Sequence, residues 1–321
     1  MKIGILTCVY NDWAAAQALF PLLDDALQRA GLLAELLVVD DGSSEPTPGP
    51  HFFSQPSALT AIKILQLRKN LGHQRAIAVG LAYIYDHMTY DAIVVMDADG
   101  EDKPSDVIRL IQAMRLQTLP AIVFAERSKR SETALFTFFY HIYRLMHVIL
   151  TGRGIRVGNF SVIPSALLQG LVVDMNLWNH YAACVFISKA RTATIPASRG
   201  LRLKGKSKLG FTSLVVHGLS AISCYNEIIS VRLLICTSVT FVAVFLALVL
   251  TAGVRFFSHL TMAGWATYAA GIMALALLQL LLFSLILATT LLGDRKHQPF
   301  IPIRDYPSFI ANLLKLYPHD A

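Results

Sequence analysis

The sequence predicts an α/β domain on a mostly parallel sheet with helices on both faces, followed by a two-helix membrane hairpin. Three observations predict it. Apolar strand-like runs alternate with helical runs through the first 128 residues. The strand-like runs end in polar, mostly acidic side chains. Between Arg232 and Asp294 the only formally charged side chain is Arg255.

"KIGILTCVY" reads as the first strand and "DWAAAQALFPLLDDALQRAG" as an amphipathic helix. "AELLVVDDGS" is a strand that meets acids, and "AIKILQLRKN" is another strand. "HQRAIAVGLAYIYDHM" is a helix, "YDAIVVMDADG" a strand, "PSDVIRLIQAMRLQ" a helix and "PAIVFAERS" a strand. "SSEPTPGPHFFSQPS" is a Pro/Ser-rich loop. In open α/β sheets, ligands bind beyond the carboxyl ends of the strands. Those ends carry Asn11 and Asp12, Asp40 and Asp41, Asp97 and Asp99, and Arg127.

The far end of the chain is different. Residues 233–254 and 265–292 are each long enough, at about 1.5 Å per residue, to cross a hydrocarbon layer. Trp265 and Tyr268 suit an interfacial belt. Arg199, Arg202, Lys204, Lys206 and Lys208 precede the first span, and Arg295 and Lys296 follow the second. The positive-inside rule then puts both ends in the cytoplasm and the loop "RFFSHLTMAG" outside. Residues 133–150 and 209–229 are apolar with scattered polar groups; they suit helices on a membrane surface or in the soluble core.

The totals narrow the function classes. The chain has 321 residues, 55% of them hydrophobic, and a formal charge of +7. Its mean hydropathy of +0.52 is too high for an ordinary soluble domain. The positive balance points to anionic partners. Nucleic acid fits poorly, because the basic cluster abuts a membrane span and no aromatic stacking platform is evident. Cys8, Cys184, Cys224 and Cys236 are scattered, without zinc-ligand or disulfide-framework spacing. The N-terminus lacks the plan of a signal peptide, so the first domain is expected in the cytoplasm. Neither a Walker loop nor a G-x-G-x-x-G after the first strand is present, which leaves nucleotide binding to side chains and a metal.

Asp97 and Asp99, two apart at the end of an apolar run, can face one side of a strand. Mg²⁺ or Mn²⁺ takes such oxygen ligands together with substrate phosphates; a solvated turn is the alternative. Asp40 and Asp41 could accept hydrogen bonds from a base or ribose, or form a turn with Gly42. Asn11 and Asp12 could do the same, or cap the following helix. Asn70 and Gly72 shape a turn before a helix that opens at His73, a place suited to an anion or to plain capping. Arg127, Lys129 and Arg130 could grip phosphate or form a surface charge run. "RLKGKSK", residues 202–208, suits a loop that orders over phosphates, an anchor beside the membrane, or both.

"VYND", "VVDDGS", "LRKNLGHQRAIAVGL" and "VVMDADGEDKPSD" occur in the order and spacing of family 2 glycosyltransferases with the GT-A fold. More narrowly, the chain resembles the polyprenyl-phosphate glycosyltransferases of the dolichyl-phosphate mannose synthase-like group. "RLKGKSK" matches that group's R-x-x-G-x-S-K loop, and the resemblance covers residues 1–295.

The resemblance implies a cytoplasmic GT-A domain over residues 1–206, an interfacial helix over 207–231, a transmembrane pair within 232–293 and a cytoplasmic tail over 294–321. It implies transfer of one sugar, with inversion, from a nucleotide-sugar to a polyprenyl phosphate such as undecaprenyl phosphate, and use of Mg²⁺ or Mn²⁺. The expected donor is UDP-glucose or a similar UDP-sugar. GDP-mannose, a glycan acceptor and a non-catalytic lipid-carrier scaffold are the alternatives. The expected setting is a bacterial inner membrane and cell-envelope polysaccharide synthesis, with a homo-oligomer, often a tetramer in similar proteins.

By the same resemblance Asp97 and Asp99 hold metal and diphosphate, and Asp102 contacts the sugar. Asn11, Asp12, Asp40, Asp41, Asn70 and His73 line the nucleotide-sugar, with Asp40 the foremost candidate for base or ribose. Arg127, Arg130, Arg202, Ser207 and Lys208 meet phosphates. The group usually has Leu-Gln after its Asp-Ala-Asp triplet; here Gly100 and Glu101 follow, so Glu101 is expected to replace the Gln at the metal. The Q-x-x-R-W signature of processive relatives is absent, which also argues for a single transfer.

Overall fold

The computed structural model describes residues 1–49, 56–127, 148–149, 151–152, 157–205, 218–257, 264–294 and 300–318. The chain divides into two units. The first comprises Met1–His141, Gly154–Cys224 and Pro299–Ala321; the second comprises Ile142–Arg153 and Tyr225–Gln298.

The first unit is an eight-stranded sheet in the order β7-β5-β6-β4-β1-β2-β3-β8. Its strands are β1 (Ile3–Val9), β2 (Ala34–Asp40), β3 (Leu59–Leu67), β4 (Ala92–Val95), β5 (Ile122–Arg127), β6 (Val157–Pro164), β7 (Thr192–Ala197) and β8 (Ile310–Tyr317). Neighbours β1–β2, β1–β4, β2–β3 and β5–β7 are parallel, whereas β6 and β8 run antiparallel to the strands beside them. The sheet is therefore mostly parallel, with its acids gathered on one rim.

Helices α1 (Trp13–Arg29) and α3 (Pro104–Arg115) cover one face, and α2 (His73–His87), α4 (Ser165–Val172) and α5 (Tyr181–Ile187) the other. β1 alternates between the two cores: Ile3, Ile5 and Val9 enter the first, Leu6 and Cys8 the second. All seven of its residues are buried, as a central parallel strand requires. Helix α2 lies close to the sheet because it presents Ala76, Ala78, Gly80 and Ala82. A Cβ on Gly80 would come within 2.5 Å of a Leu6 methyl. This close approach sets the start of α2 against the acidic rim.

Strand β8 lies in the stretch that sequence alone leaves as a C-terminal tail. It pairs antiparallel with β3, from Ile62 opposite Tyr317 to Leu67 opposite Ile310. Ahead of it come α8 (Pro302–Asp305) and a 3₁₀ turn, Tyr306–Phe309. Tyr306 is 1% exposed; its hydroxyl donates to Asp86 at 2.7 Å, with His87 Nε2 at 2.9 Å. The Trp178 ring lies 3.9 Å from Phe300 and 5.2 Å from Phe309, and Arg75 sits over it at 5.2 Å. The alternating pattern of "IANLLKLY" is weak, and its partner strand lies far away in sequence, so no local signal reveals the pairing.

The second unit is built on α6 (Asn226–Phe257) and α7 (Trp265–Asp294). These helices contain the two charge-poor stretches. Residues 226–231, read from sequence as juxtamembrane, are the first turns of α6. Thr237 meets Ser284 at 3.1 Å and Thr251 meets Met273 at 4.0 Å, so the two helices pack antiparallel. Their outward side chains are largely apolar and bare. Hydroxyls of Thr237, Ser238, Thr240, Thr251, Thr289 and Thr290 donate to carbonyls one turn earlier. That satisfies them without water, as a hydrocarbon environment demands. A buried soluble core helix would not leave these faces uncovered. Residues 133–147 and 209–217 of the two further apolar stretches lie outside the described residues.

Candidate active site

The rim is built by the loops after β1, β2, β3 and β4 and by the segment after β7. Asn11 takes a left-handed conformation, φ 49°, which Asn adopts more easily than most residues. Its side-chain oxygen accepts from Ser44 N at 2.8 Å and Glu45 N at 3.0 Å, and its own N–H donates to Ser43 Oγ at 2.9 Å. Asn11 thus ties the β1 and β2 loops together. Asp12 stands at the N-cap of α1 but makes no side-chain capping bond. Its carboxylate instead forms a close ion pair with Arg202.

Asp40 and Asp41 are both buried but differ in use. Asp40 accepts from Ser43 N at 3.0 Å and from Thr47 Oγ1 at 3.3 Å; Thr47 in turn accepts from Gln66 at 2.6 Å. Asp41 spends both oxygens on the turn before α2, accepting from Leu71 N at 2.7 Å and Gly72 N at 2.9 Å. Gly42, φ +68°, lets this turn close, because a Cβ there would lie 2.5 Å from the Lys69 carbonyl carbon. Asp41 therefore positions His73 from behind. Asn70 is exposed on the same turn.

Burial pushes the Asp41 carboxyl up to about 6, the charge of Asp40 adds to this, and the two N–H donors and His73 offset part of it. The folded value lies above the unfolded one. The linked stability is fully present below pH about 4 and is lost as pH rises through about 6. We expect thermal melts between pH 4 and pH 7 to fall more steeply in the wild type than in Asp41→Asn. Equal slopes in the two proteins would refute this.

The acid turn follows β4. The strand ends at Val95, and Met96 N still donates to Leu6 O at 3.0 Å. Asp97 and Asp99 therefore lie past the pleat, and the expectation that two strand positions share a face does not describe them. Asp97 Oδ1 lies 3.1 Å from His73 Nε2, at the first residue of α2. Partial desolvation lowers the His73 value. The hydrogen bond to Asp97 and the charges of Asp97, Asp41 and Asp102 outweigh it, so the ring holds its proton above the usual histidine range.

Asp99 Oδ1 accepts from Glu101 N at 2.9 Å, and its Oδ2 from Arg202 Nη1 at 3.0 Å. Burial raises the Asp99 value; Asp97 and Glu101 add to this, while the Glu101 N–H and Arg202 oppose it.

Asp102 and Glu101 complete the turn. Asp102 is 3% exposed and accepts from the backbone N–H of Asp97 at 2.9 Å. It folds inward and braces the turn, where the sequence reading has it meet the sugar. Glu101 turns to Arg199, whose Nε donates to it at 2.6 Å. Its carboxylate meets Arg199 in an ion pair, as that of Asp99 meets Arg202, and its place at the metal stays a proposal.

The segment after β7 closes over this turn. Gly200 N donates to Glu101 O at 2.8 Å and Leu203 N to Asp99 O at 3.0 Å. Gly100, φ +87°, leaves room for Leu203, whose Cγ a Cβ there would meet at 2.4 Å. Arg202 bridges Asp99 and Asp12, and its Nε donates to Lys204 O at 3.1 Å. Arg130, Ser207 and Lys208 lie outside the described residues, and Arg127 is placed only by its backbone at the end of β5.

Sequence reasoning places Arg199 only in the basic cluster before the first span, and it gives Gln74 and Asn159 no role. Gln74 adjoins His73 within "NLGHQRA"; Asn159 sits on β6, which carries no motif.

Among the described residues no three His, Cys, Asp or Glu side chains converge as a ready-made metal cage. The donor set is two carboxylates, Asp97 and Asp99. It suits a hard divalent ion that completes its shell with phosphate oxygens and water. Asp99 and Asp12 together hold the Arg202 guanidinium, so the rim attracts a cation.

The glycosyl transferase family 2 model matches residues 4–164, just over half of the chain. The chain belongs to glycosyl transferase family 2. Its mostly parallel sheet with helices on both faces is the GT-A architecture. An undecaprenyl-phosphate 4-deoxy-4-formamido-L-arabinose transferase from Erwinia tasmaniensis is 25% identical over 229 residues, covering 70% of this chain and 67% of that one. The Salmonella typhimurium transferase of the same description is 24% identical over 227 residues, with the same coverage. Mannosyl-3-phosphoglycerate synthase from Rubrobacter xylanophilus superposes with a TM-score of 0.48 at 14% identity, over 71% of this chain and 73% of that one. A mannosyltransferase from Pyrobaculum calidifontis in complex with GDP-Man and Mn²⁺ gives 0.41 at 16% identity, over 91% and 87%.

Proposed function

We propose that this glycosyltransferase moves one sugar from a nucleotide-sugar to a polyprenyl phosphate, with inversion at the anomeric carbon. The observation that carries the reading is the acidic rim of a family 2 fold, held beside Arg202, in a chain with an apolar helical hairpin. A phosphate oxygen of the acceptor attacks the anomeric carbon. The bond from that carbon to the diphosphate oxygen breaks, and the nucleoside diphosphate leaves with its electron pair. The acceptor phosphate is already ionised near neutral pH, so no strong base is needed. The site must align two anions and offset their charge.

Asp97 and Asp99 would hold Mg²⁺ or Mn²⁺, which neutralises charge on the leaving diphosphate when bound. Arg202 brings a second cation to the same rim. His73, whose proton Asp97 helps to hold, adds positive character at the start of α2 when protonated. Asp40, supported by Thr47 and Gln66, is the foremost candidate to read the base or ribose.

The relatives named for 4-deoxy-4-formamido-L-arabinose bring that sugar into contention and do not single out glucose. We infer a UDP-sugar donor. The hairpin leaves the first unit and returns to it, because β8 belongs to the same sheet as β1. Both ends of a membrane-crossing pair must then lie on one side of the bilayer. We take that side to be the cytoplasm, because the Lys/Arg clusters flank the pair there.

The test offers radiolabelled UDP-glucose, UDP-4-deoxy-4-formamido-L-arabinose and GDP-mannose with undecaprenyl phosphate and Mn²⁺. Label in a mild-acid-labile lipid product is expected from a UDP-sugar. Label that enters only a glycan, or no product across the panel, would sink the proposal.

A further inference from the structure

Behind the acid turn runs a chain of hydrogen bonds whose direction is fixed. The backbone N–H of Tyr181 donates to the side-chain oxygen of Gln74 at 2.7 Å. A backbone N–H can only donate, so the other end of Gln74 must be its NH₂ group. That NH₂ donates to the side-chain oxygen of Asn159 at 3.0 Å. The oxygen of Asn159 is therefore committed, and its own NH₂ is left over, with no partner among the described residues. Gln74 is 8% exposed and Tyr181 fully buried, so this orientation is set by groups that solvent cannot replace.

Two observations bring Asn159 toward Asp97. On β6, Ser161 pairs with Val95 of β4 in an antiparallel register. The ladder stops at Val95 and Ser161, and the chain reaches Asp97 two residues past that end while Asn159 lies two residues before Ser161 on β6. Independently, His73 and Gln74 are consecutive residues in the first turn of α2; the first reaches Asp97 and the second Asn159.

We propose that Asn159 is a specificity residue whose amide NH₂, aimed by Gln74, donates to a hydroxyl oxygen of the transferred sugar beside Asp97. This rests on the nucleotide-sugar reading above. Gln74 is a positioning residue: it touches no substrate and acts by fixing which end of Asn159 faces the site. A carboxylate at either position destroys the arrangement differently. In Asn159→Asp the bond from Gln74 survives, but an acceptor faces the sugar. In Gln74→Glu the Tyr181 N–H is still satisfied, but nothing donates to Asn159, whose amide turns over and presents its oxygen.

The test is calorimetry on the full chain in detergent with Mn²⁺. It compares UDP and GDP with UDP-glucose, UDP-4-deoxy-4-formamido-L-arabinose and GDP-mannose. For Asn159→Ala, Asn159→Asp and Gln74→Glu the Kd of the sugar nucleotide that the wild type binds should rise about tenfold, while the Kd of its nucleoside diphosphate stays unchanged. Asn159→Asp keeps the buried bond, so the experiment stands even where the other two fail to fold. Equal weakening of diphosphate and sugar nucleotide, or unchanged binding of both, overturns the inference. A wild type that binds none of the sugar nucleotides sinks the nucleotide-sugar reading, and this inference with it.

Discussion

Asp99→Asn will lower sugar transfer by about a hundred- to a thousandfold and at the same time make the protein harder to melt. The two effects have one cause. Asp99 is ionised in a place that resists ionisation, desolvated and flanked by Asp97 and Glu101, so its value lies above the ordinary carboxylate range. A group whose folded value is raised contributes stability at low pH and loses it as pH rises through that value. Near neutral pH the charge of Asp99 is thus a standing cost to the fold, only partly offset by Arg202 at 3.0 Å. Asn removes the charge but keeps an oxygen for the Glu101 N–H. The fold gains, and on the proposed assignment the diphosphate loses a metal-holding carboxylate. Thermal melting and initial-rate kinetics at saturating Mn²⁺ check this. A less stable variant with wild-type turnover would show that Asp99 is a structural acid, and the metal assignment would fall. Asp97→Asn should lose activity comparably but melt no higher, because it also surrenders the charge that holds His73 at 3.1 Å.

How much of this site could be read from sequence follows from the range of each signal. Asp97 and Asp99 are legible because an apolar run and the acids that end it are neighbours along the chain. Asp40 and Asp41 are legible for the same reason, and so is the alternation that builds most of the sheet. What those acids touch is not legible. Arg202 reaches Asp99 across 103 residues and Asp12 across 190, and no local pattern encodes such a contact. The inward fold of Asp102 depends on one backbone N–H. Sequence also carries the strand past its end, to Asp99; once the pleat stops at Val95, the face on which a side chain lies is set by the turn and by Gly100. Asn159 escapes notice because its role comes from its neighbours, Gln74 and Tyr181, and from no motif of its own.

Removal of residues 300–321 will abolish recovery of a folded, monodisperse protein, although the segment lies beyond both apolar helices. On the sequence reading this segment is part of a cytoplasmic tail. In the structure it carries β8, Phe300, Phe309 and the buried Tyr306. Without β8, the β3 edge presents a row of unpaired N–H and C=O groups, a template for aggregation. Without Tyr306, a core site between Tyr83 and His87 opens. Loss of a buried aromatic side chain alone costs about 3–5 kcal/mol, against a total stability of about 5–15 kcal/mol for a typical domain. Tyr306→Phe separates the ring from its hydroxyl. It keeps the ring and leaves Asp86, half exposed, to water, so it should cost only about 1 kcal/mol. Tyr306→Ala should approach the truncation in effect. Size-exclusion chromatography in detergent and thermal melts of the three proteins decide the matter. A truncated chain that elutes and melts like the wild type would mean that β8 only decorates an edge already complete without it.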